Sequence, residues 1–121
     1  MGRVIHFEFG ADQPERAVAF YQKVFGWKIE KWAGPIDYWL ITTGSESENG
    51  IDGAIMARAG GMTTVNTVAV DSLDDALARV AEAGGKVISE KQVVPGVGYH
   101  AYCVDSEGNM FGLMQGDASL K

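Results

Sequence analysis

Two pairs of side chains in this sequence can do acid–base or hydrogen-bonding chemistry. His6 and Glu8 stand two residues apart, as do His100 and Tyr102. On a strand successive side chains point to opposite faces, so each pair shares a face. Val4 then joins His6 and Glu8, while Ile5, Phe7 and Phe9 make the apolar alternation that a helix-covered face requires. Burial raises a carboxyl pKa and a neighbouring imidazolium lowers it, so His6 and Glu8 are candidates for general acid–base work. The plainer alternative is a pair that satisfies buried polarity. His6 and His100 are the only histidines, which excludes a three-histidine metal site by count. Cys103 is the single cysteine; it reads as a small buried hydrophobe, with nothing nearby in sequence to activate it.

The elements that must position these residues repeat along the chain. Residues 12–29 laid over 71–88, an offset of 59 without a gap, match at Asp12/Asp71, Ala17/Ala76, Ala19/Ala78, Gly26/Gly85 and Ile29/Ile88. Each copy reads as an apolar strand, an Asp cap, a helix, a glycine stop and another strand. Asp12 is placed to cap the first helix, with Glu15 in the reciprocal position. Ala17, Phe20, Tyr21, Val24 and Phe25 follow helical spacing, and Gly26 ends the helix in the left-handed conformation. Asp71 opens the second helix; Leu73, Ala76, Leu77 and Val80 form its apolar face, and Gly84-Gly85 stops it.

The remaining segments read as strands over 3–10, 27–33, 37–43, 51–58, 64–70, 86–93, 99–105 and 110–115. The order is βαβββ, twice, with repeat one at about 3–58 and repeat two at about 63–116 in a single domain of 121 residues. One helix covers one face of a four-stranded sheet. The expected fold is therefore α+β: a cupped eight-stranded mixed sheet with helices on the outer face and the site on the concave face. Asp105–Asn109 reads as a three-residue hairpin loop with Gly108 in the left-handed position. That register sets Tyr102 opposite Gly112 and His100 opposite Met114. A one-residue slip would reverse the faces, so an ordinary half-exposed strand residue remains the alternative for His100.

Composition narrows the partners. Sixteen acidic and ten basic residues give a net charge of −6, without the basic footprint of a nucleic-acid binder. No Lys/Arg-rich amphipathic stretch or spanning apolar run points to a membrane. The start lacks the long apolar core of a signal peptide, and one cysteine fits a reducing compartment, so the expected location is cytoplasmic. Trp27, Trp32, Tyr38 and Trp39 cluster around the first hairpin, either as an aromatic rim for a flat ligand or as cover for a core edge.

The doubled βαβββ pattern, the segment Glu15–Ile29, the Val70-Asp71 that opens the second helix and the late turn Asp105–Met114 resemble the vicinal oxygen chelate superfamily. That superfamily contains glyoxalase I, bleomycin-resistance proteins, fosfomycin-resistance enzymes and extradiol dioxygenases. The resemblance implies a divalent ion held by one residue from the first and last strand of each repeat. The first-strand ligand fourteen residues before Phe20-Tyr21 falls on His6. The offset of 59 carries His6 to Val65. The last-strand ligand after the late turn falls on Gly112, and the same offset carries it back to Gly53. Valine and glycine offer no donor atom, whereas a catalytic zinc takes three protein ligands plus an open position. The expectation is therefore no metal and no cofactor, and a cavity with room for an organic molecule.

The ligand-binding candidates are His6, Glu8, Trp39, Gly53, Val65, His100, Tyr102, Gly112 and Met114. The first functional reading is a metal-independent protein, similar to the bleomycin-resistance branch, that binds a small organic ligand. The alternative is a lyase, isomerase or dioxygenase-type enzyme using His6 and Glu8, with or without a metal recruited through His6, Glu8 and His100. A third is an interaction subunit whose cup is filled by side chains. A homodimer is expected from the resemblance.

Overall fold

The computed structural model describes residues 2–117, 119 and 120. It has an α+β fold in which each repeat contributes one helix and its own set of strands. Two compact units divide these residues, one of them His6–Val65.

In the His6–Val65 unit the elements are β1 (Val4–Ala11, from His6 onward), α1 (Pro14–Phe25), β2 (Lys28–Lys31), β3 (Tyr38–Thr42) and β4 (Gly53–Ala57), with strand order β2-β3-β4-β1. β1 runs parallel to β4, and β3 lies antiparallel to both β2 and β4. Register follows from which side chains must leave water. Phe7, Ala11, Ile29, Ile41 and Ile55 form a core with Ala17, Val18 and Tyr21 of α1, and a one-residue slip would send that apolar set to the opposite face. Phe20, Val24 and Phe25, which share the helical spacing of Ala17 and Tyr21, are more than half exposed. The helix turns Ala17, Val18 and Tyr21 inward instead, and Phe25 stacks on Trp27, which stacks on Tyr21.

Asp12 does not cap α1. Gln13 holds the cap position without a side-chain bond and Pro14 opens the helix, where its missing N–H is no loss. The Asp12 carboxylate accepts instead from Arg58 Nε at 3.0 Å. Gly26 ends the helix at φ 70° with its N–H donated to Gln22 O, as the sequence predicts.

The second unit holds the rest: the end of β5 (Thr64–Ala69), α2 (Leu73–Glu82), β6 (Lys86–Val87), β7 (Gln92–Val94), β8 (Gly98–Val104) and β9 (Met110–Gly116). Its strand order, β5-β9-β8-β6, copies that of the first unit. The expected single strand over 86–93 is broken. Val87 pairs with Cys103 and Gln92 with His100, so four residues on one side lie against two on the other. The gap is bridged by Ser89, whose hydroxyl accepts from Tyr102 N at 2.8 Å.

Ser72, not Asp71, caps α2: its hydroxyl accepts from Asp75 N. The Leu73 N–H donates to Gln115 Oε1 at 2.8 Å and fastens the helix start to β9. Leu73, Ala101, Cys103 and Leu113 form the core, with Ala76, Leu77 and Val80 packed on it. The late hairpin has the expected register, with Gly108 at φ 84°.

Gly53 pairs with Phe7 in the parallel ladder, and a Cβ there would overlap the Phe7 carbonyl and ring. Gly53→Ala is expected to lower stability by about 1–3 kcal/mol through overpacking, read from urea denaturation. An unchanged midpoint would contradict the placement of Gly53 against Phe7.

Candidate functional site

The alternation of β1 puts Phe7 and Phe9 against α1 and leaves His6 and Glu8 on the other face. β4 and β3 continue that division. Ala54 pairs with Glu8, and Tyr38 and Leu40 pair with Met56 and Ala54. Tyr38 therefore shares the face of His6 and Glu8, although it lies 32 and 30 residues from them in sequence.

These three side chains form one hydrogen-bonded row. The Tyr38 hydroxyl donates to Glu8 Oε2 at 2.6 Å, and His6 Nε2 lies 2.9 Å from the Tyr38 oxygen. The shorter distance is that of a hydroxyl donating to a carboxylate. Glu8 is buried, with 5% of its surface exposed, so the phenol satisfies a group that would be costly to leave alone. Tyr38 is steadied by its neighbours: Trp32 N donates to its carbonyl at 2.7 Å, and the Trp32 ring meets its ring edge-on at 6.0 Å. Burial pushes the His6 pKa below its usual 6.5, and the negative charges of Glu8 and Asp52 oppose part of that shift. The imidazole is accordingly neutral at pH 7, able to accept a proton or a hydrogen bond.

The second unit carries its own polar group on the face away from α2. His100 is buried and Tyr102 half-buried, with ring centroids 4.5 Å apart in an edge-on contact. Their β9 partners are Met114 and Gly112, and Gly112 pairs in turn with Thr67 of β5. A Cβ at Gly112 would lie 2.7 Å from His100 Nε2 and 3.1 Å from Thr67 Oγ1. The glycine makes room that the imidazole occupies. Val65, fully buried, precedes Thr67 by two residues on β5.

Two sequence candidates fall elsewhere. Trp39 pairs with Ile55 and packs on the α1 core, with Lys31 Nζ 5.4 Å from its ring centroid. Gly53 is on the same side, beside Phe7. The offset of 59 misplaces Gly53 because the repeats differ by one residue: Glu8 lies beside Ala54 in the first, Thr67 beside Gly112 in the second. Ala54 is thus the counterpart of Gly112. Tyr38, in sequence one of the aromatic cluster around the first hairpin, stands at the centre of the row; its place one residue off the apolar Trp39/Ile41 face is the local mark of that position. An open groove of about 560 Å³ lies on the α1 side, lined by Phe9, Arg16, Phe20, Tyr21 and Arg58 among others, and none of His6, Glu8 or Tyr38 lines it.

Comparison with known proteins defines the family. The profile of the Glyoxalase/Bleomycin resistance protein/Dioxygenase superfamily matches residues 3–113. The chain belongs to this superfamily. It is 32% identical over 117 residues to proteins of Mycobacterium bovis and Mycobacterium tuberculosis, both named "Putative glyoxylase CFP32". The match covers 94% of this chain and 44% of theirs, so the chain spans less than half the length of these relatives. Among solved structures, a methylmalonyl-CoA epimerase in complex with methylmalonyl-CoA and NH4+ aligns with a TM-score of 0.73 at 13% identity, over 100% of this chain and 99% of that one. The methylmalonyl-CoA epimerase of Mycobacterium tuberculosis aligns at 0.67 and 13% identity, over 92% and 85%. These structural likenesses establish the shared fold.

The divalent ion that the superfamily resemblance implies does not fit the residues present. Of the four positions that the resemblance implies, only His6 has a side-chain donor atom; Val65, Gly53 and Gly112 have none, and neither has Ala54, the structural counterpart of Gly112. A side chain added at Gly112 would meet the His100 imidazole. Among the described residues no group of three His, Cys, Asp or Glu side chains is arranged to hold a metal.

The lowered His6 pKa has a consequence for stability. Between its folded-state value and 6.5 the unfolded chain binds more protons than the folded one, so stability rises with pH across that window and falls on acidification. His6→Asn is expected to flatten this part of the profile when urea midpoints are followed from pH 5 to 7.5. An identical slope in both proteins would contradict the burial of His6.

Proposed function

We propose that this chain binds a small organic molecule on the sheet face that carries His6, Tyr38 and Glu8, and does so without the superfamily's divalent metal. The observation that carries the reading is the hydrogen-bonded row itself: a neutral imidazole, a phenol and a buried carboxylate in line at 2.9 and 2.6 Å. A half-buried row of this kind recognises a polar group of a ligand by direction, and Ala54, the partner of Glu8 in the ladder, offers no side-chain donor to an ion. Relatives by fold are named for a bound acyl-CoA ester, which supports an organic ligand here and makes acyl-CoA thioesters one class to try. His100, Tyr102 and Met114, on the face of the second unit away from α2, are proposed as further ligand-binding positions, with Gly112 as the position that lets the His100 imidazole lie against β9 and Val65 as a further apolar position.

A second reading has an observation of its own. An imidazole kept neutral near pH 7 is a competent general base, so a lyase, isomerase or dioxygenase-type reaction using His6 and Glu8 stands as the alternative. The proposal includes a homodimer, supported by the exposed apolar residues Phe20, Val24 and Phe25 on α1, and a reducing cytoplasmic setting, supported by the single buried Cys103.

The test is a thermal-shift and calorimetric panel of acyl-CoA thioesters, aromatic compounds and cationic amines, repeated on His6→Ala and Glu8→Gln. At a ligand concentration of 100 Kd the native state gains about 2.7 kcal/mol. At least one class is expected to raise the Tm of the wild type, and each variant to weaken its binding roughly tenfold, about 1.4 kcal/mol. No stabilisation by any class, or equal binding in both variants, would overturn the reading.

A further inference from the structure

The phenol of Tyr38 carries one proton, and the 2.6 Å contact places that proton toward Glu8 Oε2. The oxygen of Tyr38 is then an acceptor toward His6, 2.9 Å away. A neutral imidazole has one N–H, so that N–H must sit on Nε2. Its other nitrogen, Nδ1, is left with the lone pair, and among the described residues no group hydrogen-bonds Nδ1. The direction of the whole row is thus set by the carboxylate at its far end.

We propose that Tyr38 is a positioning residue that fixes His6 in the Nε2–H tautomer, so that Nδ1 meets the ligand as an acceptor and selects molecules presenting a hydrogen-bond donor. The class so defined includes hydroxyl, amine and amide N–H groups and, under the catalytic alternative, an acidic C–H beside a carbonyl. If Nδ1 takes a proton from such a group, the balance is simple: Nδ1 gains that proton, Nε2 releases its own to the Tyr38 oxygen, and the phenol proton passes to Glu8 Oε2. His6 and Tyr38 end neutral and the proton resides on Glu8. The inference rests on the site proposed above, but the tautomer is a property of the ligand-free protein and is measured without any ligand.

The experiment is long-range ¹H–¹⁵N correlation NMR on ¹⁵N-histidine-labelled full chain at pH 7.5. The His6 signals are assigned by their loss in His6→Ala. In the wild type a single Nε2–H tautomer is expected for His6. In Tyr38→Phe, which keeps the ring and deletes the hydroxyl, the Nε2 and Nδ1 shifts are expected to move toward each other as the two tautomers mix, while His100 stays unchanged. A His6 Nδ1–H tautomer in the wild type would overturn the proposal, as would a tautomer unaffected by Tyr38→Phe. If Tyr38→Phe does not fold, the wild-type tautomer decides alone. A correct tautomer together with a ligand panel that finds nothing would sink the binding reading and leave this geometry standing.

Discussion

Alternation along β1 is the constraint from which the rest of the amino-terminal unit follows. Phe7 and Ala11 are nearly inaccessible to solvent and pack with Ile29, Ile41 and Ile55 beneath α1. Removing that much apolar surface from water fixes the pairing of β1 with β4, because a shift of one residue would exchange core and polar faces. Once Phe7 and Phe9 face the helix, His6 and Glu8 have no choice of side. The same pairing carries the division to β3, where Trp39 and Ile41 join the core and Tyr38 is sent to the polar face. A hydrogen-bonded row thus arises from apolar packing on the opposite side of the sheet.

The row in turn resolves a cost of that packing. Glu8 is buried by its place in the ladder, and a buried carboxylate needs donors. The Tyr38 hydroxyl supplies one. The consequence reaches His6, because a phenol that gives its proton to Glu8 can only receive from the imidazole. The histidine that stands at a superfamily ligand position is therefore committed to a phenol on one nitrogen. The other positions that the resemblance implies, Val65, Gly53 and Gly112, have no side-chain donor atom, and neither has Ala54 beside Glu8. In the second unit the space beside Gly112 is taken by His100. Both units keep the fold while the donors that would hold an ion are absent from the described positions.

Much of this was legible in the sequence where the determinants are local. Helix ends marked by Gly26, the apolar faces of β1 and α2, and the hairpin around Gly108 depend on residues within a turn or two of each other. Other features depend on distant partners. Asp12 has the chemistry of a helix cap, but Arg58, 46 residues away, takes its carboxylate. The strand expected over 86–93 is broken, and across the gap the Ser89 hydroxyl accepts from Tyr102 N. Gly53 lies on the face opposite His6 and Glu8 because the repeat offset of 59 holds at the first strands and slips by one residue before the last, and one residue is enough to change faces. Tyr38 was visible as an aromatic residue but not as the centre of the row, since its meeting with His6 and Glu8 exists only after β1, β4 and β3 have paired.

The proposed site works through its own hydrogen-bonding groups, without a catalytic metal. The most direct measurement is the metal content of the protein purified without chelators, determined by inductively coupled plasma mass spectrometry after equilibration with equimolar Zn²⁺, Mn²⁺, Co²⁺ and Ni²⁺ and gel filtration. Well under one bound ion per chain is expected, with the same small residue in His6→Ala. One equivalent of a divalent ion that survives filtration and disappears in His6→Ala would contradict it.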